Sequence, residues 1–109
     1  MANEYENVVR RIENESICYS QNYTIERIAW INSKPDLEFI KNISTTIGQN
    51  PYPASQIHYW GNFKEEYNID TVMADDRYSY RFDFDTRPLN VPELFPTVEK
   101  VLTSFNITR

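Results

Sequence analysis

The sequence predicts an α+β fold, a small antiparallel sheet of three to four strands with two or three helices packed on one face. Three observations lead to this prediction. Candidate strands follow one another directly between residues 56 and 85, apolar residues at helical spacing flank them, and 109 residues suffice for one hydrophobic core. We therefore expect a single globular domain over residues 1–109.

The first third of the chain holds a predicted helix and an ambiguous segment. The helix is predicted over residues 4–15, where apolar residues recur at i, i+3, i+4 and i+7 behind the capping residue Asn3. Residues 24–31 fit either a helical stripe or a strand that is covered on both faces. Their β-branched and aromatic side chains favour a strand, which is our prediction for this segment.

A second helix is predicted over residues 35–47. Pro35 suits the first turn of a helix, and the apolar stripe that follows it ends before Gly48, where a glycine commonly terminates a helix. The stripe consists of Leu37, Ile40, Ile43 and Ile47. Residues 49–55 are expected to form an extended loop, because two prolines restrain the residues that precede them.

Three strands are predicted over residues 56–63, 67–73 and 77–85, with a turn at residues 74–76. The third strand has the clearest alternation in the chain, because its aromatic residues all point one way and its charged residues the other. The aromatic residues are Tyr78, Tyr80, Phe82 and Phe84. We interpret the charged side of this strand as a face that is exposed to solvent.

The end of the chain predicts a last helix. Apolar residues at helical spacing run from Leu94 to Phe105, but a proline inside a helix loses a hydrogen bond. The main helix is therefore expected to begin near Pro96, after a short turn over residues 92–95.

Charge and composition narrow the classes of function. Eleven Lys and Arg residues against sixteen Asp and Glu give a net charge of −5, which disfavours direct binding of nucleic acid. Only two glycines are present, so a glycine-rich phosphate loop is not expected. We see no secretory signal and no apolar run long enough to cross a bilayer, and we expect a cytoplasmic protein without membrane contact. No cofactor or metal site is predicted.

His58 is the residue that an enzyme would be expected to use. A hydrolase or RNase-like site would pair it with a carboxylate from Glu65, Asp83 or Asp85. Cys18 is the sole cysteine, and a nucleophilic role would require His58 nearby. One histidine and one cysteine outside any recognised motif are weak indications of catalysis, so we predict a protein that is not an enzyme.

Aromatic and acidic side chains are the candidates for contact with a partner. Tyrosine and tryptophan dominate the energetics of protein interfaces because they combine a large apolar area with one polar group. The predicted partner-binding residues are Tyr52, Tyr59, Trp60, Tyr67, Asp75, Asp76, Asp83 and Asp85.

The leading hypothesis is a small acidic protein-binding module that blocks a basic or nucleic-acid-binding surface of a larger protein. In composition the chain looks like inhibitors of the anti-defence type that phages and mobile elements encode, although no motif supports this similarity. A monomer or a homodimer is expected, because a small sheet leaves edges that pair between copies. The alternatives are the His58 hydrolase and a domain that binds a small ligand between the aromatic strand face and a helix.

Overall fold

The computed structural model describes residues 7–13, 19–48, 52–74 and 78–105. These residues form an antiparallel sheet of five strands and two α-helices, which confirms the α+β class with a small antiparallel sheet. The predicted number of three to four strands is wrong, because residues 7–13 and 38–47, both predicted as helix, add a strand at each edge. The strands are β1 (Asn7–Glu13), β2 (Glu38–Ile47), β3 (Tyr52–Gly61), β4 (Glu66–Ala74) and β5 (Tyr78–Thr86). The helices are α1 (Tyr19–Asn32) and α2 (Val91–Ser104), and a short 3-10 helix, Pro88–Asn90, precedes α2.

Within the described residues the strands lie in the order β1-β5-β4-β3-β2, so β1 and β2 form the two edges of the sheet. β2 to β5 follow one another along the chain, and each pairs with the next. The register places Ile57 opposite Asp70, and Asp70 opposite Asp83. Because residues that are directly opposite share a face, this register brings two carboxylates together on one side of the sheet.

The two helices cover opposite faces of the sheet, so the prediction that they pack on one face is wrong. α2 inserts Leu94, Val98 and Leu102 into the core that contains Tyr80, Phe82 and Phe84 of β5. α1 packs through Ile31 against Ile57 and Tyr59 on the other face. The charged residues of β5 suggested a solvent-exposed face, but they lie half-buried on the side that α1 covers.

Three predicted elements have the wrong type of secondary structure. The predicted helix over residues 4–15 is β1 within the described residues, the predicted strand over 24–31 belongs to α1, and the predicted helix over 35–47 is β2. Spacing of apolar residues predicted the two helices, and β-branched and aromatic side chains predicted the strand over 24–31. Hydrogen-bonded pairing between strands decides the outcome for β1 and β2. Tertiary context of this kind overrides local preference.

A bulge explains why β2 has the apolar spacing of a helix. The register against β3 shifts between Phe39 and Lys41. Such a bulge adds one residue to a strand, which lets Ile40 and Ile43 face the same side although they are three residues apart. Ile40 and Ile47 pack on the α2 core. A strand with one bulge therefore reproduces the three- and four-residue steps that predict a helix.

The later elements have the type of secondary structure that the sequence predicted. The predicted strands over 56–63, 67–73 and 77–85 are β3, β4 and β5, although β3 begins at Tyr52 and includes the end of the predicted loop 49–55. Asp75 and Asp76 of the predicted turn lie outside the described residues. The last helix is confirmed, but it begins at Val91 and continues through Pro96.

Replacing Pro96 by alanine is expected to stabilise the protein by about 1–2 kcal/mol. Pro96 lies inside α2 and donates no hydrogen bond to the preceding turn, and alanine restores this bond. Part of the gain is offset by the greater freedom of the unfolded chain. Urea unfolding measures the difference. Pro92→Ala is the control, because Pro92 lies in the first turn, where the N–H has no partner in the helix. Equal effects of the two substitutions would contradict this account.

Candidate functional site

His58 lies on the α2 side of β3, and its ring is hydrogen-bonded at both nitrogens. The Tyr67 hydroxyl donates to Nδ1 over 2.8 Å, and Nε2 donates to Oε1 of Gln56 over 2.7 Å. Nε2 of Gln56 donates in turn to Oγ1 of Thr71 over 2.9 Å. This chain places the proton of the neutral ring on Nε2, because the amide oxygen of Gln56 is an acceptor only.

The surroundings of His58 lack the carboxylate partner that the proposed acid–base chemistry needs. His58 is only 4% exposed, and burial, aided by Lys41, lowers its pKa from 6.5 to about 4. Neither ring nitrogen contacts a carboxylate. Asp83 and Asp85 alternate with the buried aromatic residues of β5 and therefore lie on the other face of the sheet. The structure therefore gives no support to a hydrolase or RNase-like site at His58, because its partners are Tyr67 and Gln56 and not a carboxylate.

A charged cluster connects α1 to the other face of the sheet. Nε of Arg27 donates to Oδ2 of Asp70 over 3.0 Å, and its Nη2 donates to the Tyr59 hydroxyl over 3.1 Å. The Tyr23 hydroxyl donates to the same oxygen of Asp70 over 3.3 Å. Two residues of α1 thus reach one carboxylate, which fixes the position of the helix on the sheet.

Asp70 is the most deeply buried charged side chain of this cluster. Its side chain is 4% exposed, and Asp83 lies opposite it on β5. Burial and the neighbouring Asp83 carboxylate raise the pKa of Asp70 to about 7, while the guanidinium groups of Arg27 and Arg81 oppose the rise. Arg81 also pairs with Asp83 at 2.9 Å. Two guanidinium groups therefore face two carboxylates, an arrangement that offsets the cost of burying each charge.

β2 is an edge strand of ten residues, and one of its two sides is open. It pairs with β3 on one side, and no described residue pairs with its other side. The strand has ten residues, of which only Glu38 and Lys41 carry charge. Its outer backbone N–H and C=O groups are thus available to another strand, and few charges protect the edge.

A cavity of about 340 Å³ lies beside β2 on the α2 side, and we call it the α2-side cavity. Its apolar lining consists of Ile43, Ile69, Phe95, Val98 and Leu102. Gln56 and His58 also line it, together with Lys41 and Glu99. Ile43 and Phe95 are 40% and 42% exposed, so apolar surface faces solvent beside the edge strand.

A second depression, the α1-side groove, lies on the other side of β2. It has a volume of about 490 Å³ and is lined by residues of α1, β2 and β3, among them Thr24, Ile25, Asn42, Ser44 and Ser55. Thr24 donates to Oγ of Ser55 over 2.7 Å, and Nδ2 of Asn42 donates to the same oxygen over 3.1 Å. Grooves on both faces therefore accompany the same strand edge.

Of the four aromatic residues that were predicted to bind a partner, Tyr59 lies on one face of the sheet and the other three on the opposite face, where the rings of Trp60 and Tyr67 are in contact with centroids 5.0 Å apart. Tyr59 and Tyr67 are each 6% exposed and belong to the cores on opposite faces of the sheet. Tyr52 and Trp60 are half-buried and pack against the α2 core. The four residues do not form one surface, and most of their area stabilises the fold.

Asp83 and Asp85, the described acidic residues of the predicted set, lie on β5 and are also apart from β2. Asp83 is half-buried in its ion pair with Arg81, and Asp85 is half-buried on the same side of β5. Asp75, Asp76 and Cys18 lie outside the described residues. The role of this acidic set in binding a partner stays a prediction.

Sequence reasoning missed the residues that border the open edge. Ile43 was assigned to a helical stripe, and Phe95 to a turn before the last helix. Asp70 carried a recognisable signal, because it is a carboxylate within a predicted strand of otherwise apolar and small polar residues. Such a residue, once buried, requires a charged or hydrogen-bonding partner.

Comparisons with known proteins identify a similar fold. No family model matches the chain, and no curated protein matches it. Among solved structures, cyanobacterial PsbP (CyanoP) from Synechocystis sp. PCC 6803 superposes with a TM-score of 0.62 at 14% identity. The match covers 95% of this chain and 66% of that one, slightly less than two thirds. At this identity the similarity shows the fold alone.

This finding corrects the leading hypothesis from the sequence. The fold is similar to that of a cyanobacterial protein, which contradicts an inhibitor of the phage or mobile-element anti-defence type. That hypothesis relied on composition, and unrelated folds share a composition. The small-ligand alternative gains no support either. Neither described helix is long and apolar enough to cross a membrane.

Removing the Arg27 guanidinium is expected to cost about 3 kcal/mol of the free energy of unfolding, because it leaves the Asp70 carboxylate buried without its cation. Arg27→Met preserves much of the apolar stem and tests this by urea unfolding. Lys64→Met is the matched control, since its ion pair with Glu38 is largely exposed and should be worth less than about 1 kcal/mol. The added substitution Asp70→Asn should recover part of the loss, and full additivity of the two would contradict the coupling.

The contribution of His58 to stability is expected to fall by about 3 kcal/mol as the pH decreases from about 6.5 to about 4. The pKa of His58 is lower in the folded state, so the unfolded chain binds the proton first as the pH falls. Protonation therefore stabilises the unfolded state relative to the folded one. The raised pKa of Asp70 acts in the opposite direction, because there the folded state binds the proton first.

A comparison of wild type with His58→Gln isolates the histidine, because Asp70 is common to both. Urea unfolding should show that wild type loses about 3 kcal/mol of stability relative to His58→Gln as the pH falls across this range. Parallel pH profiles would show that His58 titrates normally in the folded protein.

Proposed function

We propose that this chain is a non-catalytic domain that binds another protein by accepting an extended segment along the open edge of β2. One observation carries the proposal: this edge is unpaired within the described residues and has a groove on each face. Main-chain hydrogen bonds supply affinity in such strand addition, and pockets for alternate side chains supply specificity.

The composition of β2 supports the proposal that its open edge pairs with a strand of a partner. Natural sheets protect an edge with charged residues, prolines or short strands. β2 has ten residues and no proline, and between Asn42 and Ile47 it carries no charge. Its side chains in this part are Ser, Thr, Asn and Ile, and the β-branched ones among them suit strand pairing.

Apolar residues beside the edge supply the second support. Ile43 on β2, Phe95 on α2 and Ile25 on α1 are 40%, 42% and 69% exposed. Their three elements surround the edge from both faces and from the strand itself. Burial of apolar surface at this border would add about 25 cal/mol per Å² to the main-chain bonds.

The absence of a catalytic role is part of the proposal. Both nitrogens of His58 are bonded to neutral side chains, and within the described residues no group of three His, Cys, Asp or Glu side chains could hold a metal ion. The partner expected from the sequence is a larger protein with a basic surface, a proposal that the net charge of −5 supports. The cytoplasmic location likewise stays a prediction.

A strand-forming peptide tests the proposed surface. Titration of the ¹⁵N-labelled chain with a capped peptide of alternating threonine and valine should shift the amide signals of β2 first. Shifts confined to β1, or no shifts at millimolar peptide, would contradict the proposal.

Proline substitutions at two adjacent residues provide the control. Successive residues of an edge strand direct their N–H groups alternately to the neighbouring strand and outward, so one of Ser44 and Thr45 points outward. The variant with the outward N–H removed should retain its Tm and lose peptide binding, because proline is tolerated at such positions. The other variant should lose stability through the β2–β3 ladder.

A further inference from the structure

We infer that, in the absence of another partner, the open edge of β2 pairs with β2 of a second copy of this chain, antiparallel and about a two-fold axis at Ile43. This inference rests on the proposed function and names the occupant of the same edge. A second copy presents the same unpaired strand, so one association covers the open edges of both molecules.

Symmetry restricts the register of such a pair. A two-fold axis perpendicular to the sheet keeps each face on its own side, so the axis passes through a residue, which then lies opposite itself. Ile43 is the large apolar residue that β2 exposes, and it lies near the middle of the strand. An axis there pairs two β-branched side chains, whereas an axis at Asn42 or Ser44 sets Ile43 opposite Lys41 or Thr45.

The axis at Ile43 brings the exposed apolar residues of both copies together. Ile43 and Phe95 are 40% and 42% exposed, and both line the α2-side cavity. Because rotation about this axis leaves both α2 helices on the same side of the extended sheet, the two isoleucines meet where each helix presents its Phe95. Removal of this apolar surface from water favours the dimer.

α2 runs alongside β2 and places Glu99 beside the middle of the strand. Near the start of α2, the ring of Phe95 lies 5.9 Å from the ring of His58, which belongs to the part of β3 that pairs with the first half of β2. Near the end of α2, the carbonyl of Leu102 accepts the N–H of Gly48, the residue after β2, over 2.9 Å. Glu99 lies between these two contacts and lines the α2-side cavity.

Lys41 and Glu99 supply charge complementarity between the copies. Both are exposed and line the α2-side cavity, and neither forms an ion pair with another residue that the structure describes. With the axis at Ile43, Lys41 lies opposite Thr45 of the second copy, on the side of the sheet where Glu99 of that copy lies. Symmetry makes this contact twice, and the uncharged residues 42–47 oppose no like charges.

The dimer is expected to be weak. One pair of strands with a few apolar side chains forms an interface of the small, transient class. The net charge of −5 on each copy also opposes association. We therefore expect a monomer at low micromolar concentration and a dimer towards millimolar concentration, where the capped threonine–valine peptide should compete for the edge and restore the monomer.

Sedimentation equilibrium over this concentration range tests the inference. The mass should rise from 13.0 kDa towards twice that value. Lys41→Glu and Glu99→Lys should each raise the dissociation constant about tenfold, because each substitution replaces two symmetry-related attractions by repulsions. The double variant should restore the wild-type dissociation constant, since it restores both pairs.

Two comparisons separate this local pairing from the overall charge. Glu99→Lys changes the net charge by +2, from −5 to −3, so overall charge alone predicts tighter association where the inference predicts weaker. Lys100→Glu is the matched control for Lys41→Glu, because Lys100 is an exposed lysine of α2 that does not line the α2-side cavity. It makes the same change in net charge and should weaken the dimer much less.

Disulfide cross-linking tests the register in a Cys18→Ser background. Ile43→Cys should cross-link the two copies under mild oxidation, because residues directly opposite each other lie within the range of a disulfide. Thr45→Cys is the control on the same strand, since its two copies lie roughly 14 Å apart along the strand direction. Cross-linking at Thr45 in place of Ile43 would contradict the proposed axis.

The outcomes separate this inference from the proposed function. If the chain stays a monomer at all concentrations while the peptide shifts β2 amide signals, the inference is wrong and strand addition stands. If a dimer forms but ignores the charge exchange and does not cross-link at Ile43, it uses another surface, and the inference is also wrong. If neither a second copy nor the peptide engages β2, the proposed function itself fails.

Discussion

The ion pair between Asp70 and Arg27 is the contact on which the arrangement of this protein depends. Asp70 lies in the interior of the sheet, opposite Asp83, where an unpaired carboxylate would be costly. Arg27 comes from α1 and also donates to Tyr59, so the helix that supplies the cation is held across β3 and β4. With α1 on this face, α2 covers the aromatic face, and the sheet becomes the middle layer of three.

A sheet that is covered on both faces offers its edges to a partner, and this restricts where the molecule acts. The most enzyme-like side chain, His58, lies under α2 and serves the internal hydrogen-bond chain from Tyr67 to Thr71. Arg81 and Asp83 of β5 belong to the charged cluster under α1. Among the described residues, the border of β2 and the grooves that the two helices leave beside it are accessible. The similarity to CyanoP concerns the three-layer fold, and the proposed function comes from the edge itself.

The sequence predicted the α+β class and the three central strands because their alternation is regular, above all in β5. It could not predict β2 as a strand, since one bulge at Phe39 and Lys41 gives its isoleucines the spacing of a helix. It misassigned residues 24–31 because β-branched residues occur in both types of element. The interaction of Arg27 with Asp70 spans 43 residues, and no local pattern indicates which cation reaches a buried carboxylate. The two grooves depend on how far each helix extends over β2, which is a property of the assembled layers.

Residue-resolved hydrogen exchange tests the central claim, that the open edge of β2 is the binding surface, most directly. In the free protein, the β2 amides that bond β3 should exchange slowly and those between them quickly. A bound segment should slow this second set, so that protection becomes continuous along the strand while β1 is unchanged. Unaltered alternation along β2 on saturation with the capped threonine–valine peptide, or new protection confined to β1, would contradict the claim.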